Sequence, residues 1–297
     1  MQKLRMREAN FPGRLITFCG LDGCGKTTMM QRLTEELQRQ QMDIFLTKQP
    51  TSFVRNSDIF RTYMDCPDHS AYDYRSLSLL AASDRLQHGS KVIEPELARG
   101  RIVLSDRYFY SCLANLHARG FEEDRWIYEI AVSVVKPDIA FFFDVPVDTA
   151  VARVRSRDAE KDRYIDMELQ YKLRDQYIEI CRANGGVLIS TEQSPEDTYR
   201  QVLSEVKKLW RPNVNISERV ADLLQKLSGC ENIRADASLQ NDLGMDSLAM
   251  VTLLIQLEDT FQIELKETDM NPLDLNTVSD IVELITPYVE GDYEKVD

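Results

Sequence analysis

Phe18-Cys-Gly-Leu-Asp-Gly-Cys-Gly-Lys-Thr-Thr28 is the stretch that decides the fold of the first two-thirds of the chain. Within it, Gly20, Gly25, Lys26 and Thr27 have the G-x-x-x-x-G-K-[ST] spacing of a phosphate-binding loop. In such a loop, backbone N–H groups wrap a polyphosphate, the lysine reaches the β- and γ-phosphates, and the hydroxyl binds Mg²⁺. The spacing therefore predicts a nucleoside triphosphate site. The alternative is a glycine-rich strand-to-helix turn without a ligand.

The flanking sequence supports the first interpretation. Residues 14–19 form a short apolar run that predicts a buried strand. After Lys26, the residues Met29, Met30, Leu33 and Leu37 recur at helical spacing. A strand before the loop and a helix after it would place bound phosphates at a helix N-terminus.

Four further apolar runs, at 43–47, 101–105, 139–143 and 187–190, alternate with segments of helical spacing. Five such strands predict an α/β fold with a parallel five-stranded sheet and helices on both faces. Ligands bind such sheets at the carboxyl ends of the strands. Four residues are predicted to lie at those ends: Gly20, Lys48, Asp106 and Asp144.

Asp106 and a segment dense in arginine (Arg153, Arg155, Arg157, Arg163) are the candidates for chemistry beyond nucleotide binding. A strand-end aspartate can hold Mg²⁺ or accept a proton from an attacking hydroxyl. Arginines can neutralise a phosphoryl group in transfer. The competing interpretations are a buried structural aspartate and a solvated charged helix face.

The charge distribution divides the 297-residue chain into two parts. Residues 213–297 contain 18 acidic and 5 basic side chains, whereas the rest contains 31 of each. With a proline-containing break at 211–216, this predicts a neutral domain at 1–211 and an acidic domain at 212–297. The balance argues against nucleic-acid binding and favours basic protein partners for the acidic part. Helical patterns at 216–227, 247–261 and 278–289 predict an all-helical second domain.

The cysteine pattern bears on the compartment. Six scattered cysteines without metal-ligand spacing predict reduced thiols. No apolar stretch is long enough to span a membrane, and no signal peptide is recognisable. We therefore expect a cytoplasmic protein.

Residues 13–210 resemble thymidylate kinases. The resemblance rests on 18–28, Ser83-Asp-Arg85, Leu104-Ser-Asp-Arg-Tyr108, Asp144-Val-Pro146 and Arg153-x-Arg-x-Arg157 followed by Asp162-Arg163. It implies a nucleoside-monophosphate-kinase fold that is usually dimeric. It also implies that ATP is bound by Gly20, Asp22, Gly23, Gly25, Lys26, Thr27 and Thr28.

The resemblance further implies roles around the reaction centre. Mg²⁺ would be held by Thr27 and Asp106. The acceptor would be bound by Asp22, Lys48, Arg85, Asp106 and Arg107. Phosphoryl transfer would depend on Lys26, Asp106, Arg107, Arg153, Arg157 and Arg163. Position 23 holds Gly where some members have Arg, as in the subgroup that supplies its catalytic arginine from the lid, here the arginine-dense segment.

Three departures affect the acceptor side. Lys48-Gln-Pro50 replaces Arg-Glu-Pro, which loses the bidentate phosphate fork of arginine. Ala81 replaces a phenylalanine that stacks on thymine. Asn115-Leu-His117 replaces a Tyr-Gln pair. We therefore expect a kinase that no longer prefers thymidylate.

Residues 214–290 resemble an acyl carrier protein, on the basis of Asp242-Leu-Gly-Met-Asp-Ser247-Leu and the apolar helix that follows. The resemblance implies a small four-helix domain with 4′-phosphopantetheine on Ser247, where a helix N-cap is the simpler interpretation. It implies as partners a phosphopantetheinyl transferase and enzymes that load an acyl or aminoacyl group or act downstream in biosynthesis. They would meet an acidic face of Asp246, Glu258, Asp259 and Glu264.

The short link between the domains limits how far the carrier can move from the kinase. Three hypotheses remain open from the sequence. In the first, the kinase phosphorylates a carrier-bound group or a small molecule of the same pathway. In the second, the kinase fold is a nucleotide-binding scaffold for the carrier. In the third, the chain is a working thymidylate kinase with an appended carrier.

Overall fold

The computed structural model describes residues 2–158, 160–209, 216–230, 232–261, 263–269 and 275–290. The chain divides into two compact units, Met1–Trp210 and Arg211–Asp297. Most of the break predicted at 211–216 lies outside the described residues.

The first unit is built on a parallel sheet in the order β2-β3-β1-β4-β5. Its strands are β1 Arg14–Gly20, β2 Ile44–Lys48, β3 Ile102–Asp106, β4 Ile139–Asp144 and β5 Val187–Ser190. Strand β3 is buried at every position, and β1 and β4 are nearly so, which explains their continuous apolar sequence. All five predicted strands are therefore confirmed.

Ten helices accompany the sheet within the described part of this unit. They are α1 Lys26–Arg39, α2 Ser52–Arg55, α3 Asp58–Asp65, α4 Tyr74–His88, α5 Glu94–Ala98, α6 Tyr110–Ala118, α7 Trp126–Ala131, α8 Val147–Arg155, α9 Met167–Asn184 and α10 Pro195–Lys208. Helices α4 and α5 are continuous with each other through a π-helical segment, Gly89–Ile93.

Helices α2 and α3 were not predicted from the sequence. They are short, and each begins at a side-chain cap: the hydroxyl of Thr51 accepts from Phe53 N, and that of Ser57 accepts from Phe60 N. No residue of α3 is fully buried. Caps rather than apolar spacing therefore define these helices, and α3 brings aromatic side chains to the cavity described below.

The second unit is helical, as expected. It contains α11 Ile216–Ser228, α12 Ser247–Phe261 and α13 Val278–Glu290, with a single 3-10 turn at Glu267–Asp269. Leu253, Leu254 and Leu257 of α12 face a separate apolar core. Where four helices were expected, the described residues thus contain three α-helices, and the fourth helical element is the 3-10 turn.

Candidate active site and carrier site

The phosphate-binding loop joins β1 to α1. Gly20, Gly23 and Gly25 have positive φ angles of 135°, 83° and 94°, a region that residues with a Cβ seldom adopt. A Cβ at Gly23 would also collide with the carbonyl oxygen of Ala150. Lys26 Nζ lies inside the loop, 2.6 Å from the oxygen of Leu21 and 3.2 Å from that of Gly20.

Asp106 lies at the end of β3, in register with Lys48 of β2 and Phe18 of β1. Its Oδ2 atom is 2.9 Å from Lys48 Nζ. Its Oδ1 atom is buried and has no hydrogen-bond partner. A buried, unpaired carboxylate oxygen is costly unless a ligand uses it. The two residues thus meet as predicted, and one oxygen remains available for a ligand.

Asp22 connects the phosphate loop to two other parts of the site. Its carboxylate accepts from Arg107 Nη2 at 2.5 Å and from Arg163 Nη1 at 3.2 Å. Burial alone would raise the pKa of Asp22, but Arg107, Lys26 and Arg163 outweigh burial and hold that pKa well below its usual range. The carboxylate is therefore ionised throughout the neutral range.

Arg107 has a left-handed backbone conformation, with φ 69°. Such a conformation costs a residue with a Cβ on the order of 1 kcal/mol. Two bonds hold it: Arg107 N donates to Phe18 O at 2.9 Å, and Ser105 Oγ donates to Arg107 O at 2.8 Å. Arg107 Nη1 also donates to Tyr177 at 2.9 Å. The strained backbone directs the guanidinium toward the phosphate loop.

The arginines of the predicted lid have different environments. Arg163 faces the cavity and binds Asp22. Arg157 also lines the cavity and pairs with Glu160 at 3.1 Å. Arg153 instead donates to the oxygen of Thr191 at 3.0 Å and to its hydroxyl at 3.2 Å, and it does not line the cavity. The catalytic roles of these arginines remain predictions.

One cavity of about 520 Å³ runs from the phosphate loop to the side where an acceptor would bind. Ala81 and Arg85, both on α4, line it as predicted. Two aromatic residues near its outer end, Tyr63 and Tyr74, were not predicted; their ring centroids are 5.0 Å apart, edge to face. Arg119, which caps the C-terminus of α6, also lines the cavity. Its guanidinium lies over the Tyr74 ring, 4.3 Å from the centroid.

The Lys48-Gln-Pro50 segment, which replaces Arg-Glu-Pro, has its middle residue hydrogen-bonded inside the protein. Gln49 is fully buried, and its Nε2 donates to Nδ1 of His88 at 3.0 Å. The other ring nitrogen of His88 lies 2.9 Å from the hydroxyl of Thr47. Because Nδ1 accepts, Nε2 carries the proton of the neutral ring. Burial lowers the pKa of His88, which favours this neutral form.

The residues present fit a triphosphate and Mg²⁺. The glycines of the loop leave room where a Cβ would collide, and Asp106, which lines the same cavity, has one buried carboxylate oxygen without a partner. Thr27 and Thr28 are exposed at the start of α1, with their backbone N–H groups at the helix N-terminus. Gly20, Gly23, Gly25, Lys26, Thr27 and Thr28 would hold the phosphates, and Thr27 with Asp106 would hold the metal.

The carrier unit presents Ser247 at the start of α12, with its side chain exposed. Asp246 caps this helix: its Oδ1 accepts from Ala249 N at 2.8 Å. The cap function that the sequence left open for Ser247 therefore belongs to Asp246. The serine hydroxyl is accessible for modification.

The predicted acidic face is only partly free for partners. Glu258 accepts from Leu265 N at 2.8 Å, and Asp246 is the helix cap just described. Glu264 is exposed. The use of Asp246, Glu258, Asp259 and Glu264 as a docking face remains a prediction.

Asp144 lies at the end of β4, as expected, but it does not line the cavity. Its two carboxylate oxygens accept from Arg174 at 2.6 and 2.8 Å. Asp144 is therefore an ion-pair partner of α9.

The residues that sequence reasoning missed are Tyr63, Tyr74, Arg119 and Tyr177. For Tyr63, the helix caps at Thr51 and Ser57 were the available signal in the sequence.

Comparison with known proteins accords with this geometry. The family model for thymidylate kinase matches residues 18–202. The chain belongs to the thymidylate kinase family. A second family model, for the phosphopantetheine attachment site, matches residues 218–285.

Several curated thymidylate kinases match about two-thirds of the chain. The chain is 33% identical over 200 residues to a probable thymidylate kinase of Thermococcus kodakarensis, which covers 65% of this chain and 97% of that protein. It is 32% identical over 198 residues to one of Pyrococcus horikoshii, covering 66% and 96%. It is 31% identical over 192 residues to the thymidylate kinase of Geobacillus sp. WCH70, covering 62% and 91%.

These findings confirm an ATP-dependent phosphotransferase of the P-loop kinase fold followed by a helical phosphopantetheine-attachment domain. No helix of the described ranges combines the length and the apolar character that crossing a bilayer requires. All six cysteines are free thiols.

Proposed function

We propose that the kinase domain transfers the γ-phosphoryl group of ATP to an acceptor other than dTMP, and that the carrier domain bears a 4′-phosphopantetheine on Ser247 that serves the same pathway. The observation that carries the proposal is a contrast between the two halves of one cavity. On the donor side, Asp22 binds both Arg107 and Arg163, and Lys26 lies inside the phosphate loop. On the acceptor side, Ala81 and Lys48 stand where thymidylate kinases have a stacking phenylalanine and an arginine.

The chemistry follows from the residues around Asp106. The acceptor hydroxyl lies close to Asp106, whose carboxylate takes its proton as the oxygen attacks the γ-phosphorus. The new O–P bond forms as the bond between the γ-phosphorus and the β,γ-bridging oxygen breaks, and ADP leaves with that electron pair. When bound, Mg²⁺ neutralises charge on the phosphates. Lys26, Arg107 and Arg163 stabilise the charge that develops on the transferred group.

Lys48 has a second role in this scheme. Its ammonium, 2.9 Å from Asp106 Oδ2, fixes the orientation of the carboxylate and leaves Oδ1 without a partner. As a point charge it attracts an anionic acceptor, but it does not make the two-point contact with a phosphate that an arginine makes. This weakens selection for a nucleoside monophosphate.

A second candidate is dTMP phosphorylation with an appended carrier. The aromatic pair Tyr63 and Tyr74 favours it, because these rings line the acceptor half of the cavity and aromatic faces stack on bases. Against it, the Tyr74 ring is covered by the Arg119 guanidinium.

The experiment follows label from γ-labelled ATP in the purified full-length holo-protein. The proposal expects label on a small molecule or on the carrier-bound group, and little on added dTMP. Label transferred to dTMP at the rate of a dedicated thymidylate kinase supports the second candidate instead.

We further expect basic acyl-loading enzymes and a phosphopantetheinyl transferase as partners. We also expect the kinase domain to assemble as a homodimer, which light scattering would measure.

A further inference from the structure

Three arginines that line the cavity, Arg55, Arg85 and Arg119, have no carboxylate partner among the described residues. Arg119 lies over Tyr74 at 4.3 Å and over Tyr63 at 5.5 Å, and its Nε is buried without a hydrogen-bond partner. Arg85 is buried and donates to the carbonyl oxygens of Tyr108 at 3.3 Å and Ala81 at 2.9 Å. Neither Arg85 nor Arg119 forms an ion pair with a described carboxylate.

Two neighbouring acidic side chains bind other residues. Asp84, next to Arg85 in sequence, binds the backbone N–H and the hydroxyl of Thr51. Asp124, in the loop after Arg119, binds Arg75 at 2.7 Å. Arg85 is buried and Arg119 is half-buried with a buried, unpaired Nε, so an anionic ligand at this position gains both charge and hydrogen bonds.

Helix α6 sets the distance between this position and the reaction centre. Ser111 accepts from Tyr177, which in turn accepts from Arg107, so the start of α6 is tied to the phosphoryl site. Asn115 and Arg119 follow Ser111 at intervals of one turn and line the same cavity. At 1.5 Å per residue, Arg119 lies about 12 Å along the helix from Ser111.

We propose that Arg119 is a specificity-determining residue that binds a free carboxylate at the far end of the acceptor. The acceptor is then a hydroxy acid, with its hydroxyl at Asp106 and its carboxylate at Arg119. This inference rests on the proposed kinase function. The Nε–H and Nη–H groups of arginine match a carboxylate at two points, whereas the neutral thymine ring leaves the charge uncompensated.

The proposal also orders the reactions. Attachment of the acid to the phosphopantetheine thiol as a thioester removes the carboxylate charge that Arg119 would bind. The kinase therefore acts on the free acid. The reaction that consumes its product is an acid-activating step: ATP converts the carboxylate of the phosphorylated acid into an acyl adenylate with release of pyrophosphate, and the pantetheine thiol then displaces AMP to form the thioester.

The test uses a set of hydroxy acids: straight-chain omega-hydroxy acids of about six to eight carbons and para-(hydroxymethyl)phenylpropanoate, which span roughly the distance set by α6. Each is compared with its primary amide and its pantetheine thioester. Binding to the full chain is measured by calorimetry with a non-hydrolysable ATP analogue and Mg²⁺. We expect at least one acid to bind ten-fold or more tightly than its own amide and thioester, and Arg119→Gln to abolish that difference.

Two further variants keep the result interpretable. Arg119→Lys retains the charge and should retain part of the preference, even if loss of the ring contacts makes R119Q unstable. Arg75→Gln is the matched control, because Arg75 also lies over a ring, that of Phe121 at 4.5 Å, but is paired with Asp124. It should keep the full preference.

The outcomes separate this inference from the proposed function. If no acid in the set binds more tightly than its amide, or if R119Q preserves the preference, the carboxylate site is wrong. If acids bind in an Arg119-dependent manner but label never moves from γ-labelled ATP to any of them or to a carrier-bound group, the proposed kinase function is wrong while the binding site remains.

Discussion

Lys48 Nζ lies 2.9 Å from Asp106 Oδ2, and the two residues are paired in register at the carboxyl ends of β2 and β3. The pair uses one carboxylate oxygen and leaves Oδ1 buried and unpartnered. A residue from one strand thus orients the predicted proton acceptor on its neighbour.

Asp106→Asn removes the proton acceptor with little change in shape. We expect kcat for phosphoryl transfer to fall about 10²- to 10⁴-fold, while ATP binding changes little. Lys48→Met should lower kcat by a smaller factor, because Asp106 remains but loses its orienting partner. Single-turnover transfer of label measures both. Equal losses in the two variants would contradict the separate roles.

Asp22→Asn breaks the link between the phosphate loop, Arg107 and Arg163. Misorientation of two cations by about 1 Å is enough to cost on the order of 10²-fold in kcat. Glu160→Gln is the matched control, because Glu160 pairs only with the exposed Arg157 at 3.1 Å. A drop in E160Q as large as in D22N would mean that the lid as a whole, and not Asp22, holds the arginines.

Lys26→Ala should lower phosphoryl transfer by about 10³-fold, since the lysine stabilises charge in the transition state. It should leave phosphopantetheinylation of Ser247 unchanged. Ser247→Ala should do the opposite, with no arm added and unchanged transfer to a free acceptor. Intact mass measures addition of the arm, and label transfer measures phosphoryl transfer. If K26A also blocked addition of the arm, the domains would not act independently.

The pKa of His88, lowered by burial, predicts pH-dependent stability. The folded protein binds fewer protons at this ring than the unfolded chain, so the free energy of unfolding is unaffected above about pH 6.5 and decreases below it. The decrease is at most about 1.4 kcal/mol per pH unit. His117, whose pKa burial also lowers, adds a second contribution of the same sign.

His88→Gln should remove one of these two contributions. Denaturant unfolding of the kinase transition at pH 5.5 and 7.5 would show a smaller pH effect in H88Q than in the wild type. Thr47, Gln49, Asp84 and Arg85 surround the ring and are unchanged in the variant. An identical pH effect in both proteins would exclude His88 as a source.

The sequence predicted the sheet and the donor side because both depend on local patterns. Buried parallel strands are continuous apolar runs, and the phosphate loop has a fixed spacing of glycines and lysine. Asp106 and Lys48 were predicted to meet because strand ends share one edge of a sheet.

The acceptor wall could not be predicted in this way. Tyr63 and Arg119 are far apart in sequence, on α3 and at the end of α6, and they meet only through tertiary packing. The sequence pattern does not distinguish Arg119 from a solvent-exposed arginine at the C-terminus of a helix. Asp144 had the expected position but binds Arg174 instead of lining the cavity, because the partner arginine comes from α9.

The most direct test of the central claim is the kcat/KM of the full-length holo-protein for dTMP, measured beside the thymidylate kinase of Geobacillus sp. WCH70 under the same conditions. Loss of base stacking at Ala81, at about 1–3 kcal/mol, and of the phosphate fork at Lys48 predicts a value at least about 10²-fold lower than that of the relative. A value within a few-fold of the relative would contradict an altered acceptor site.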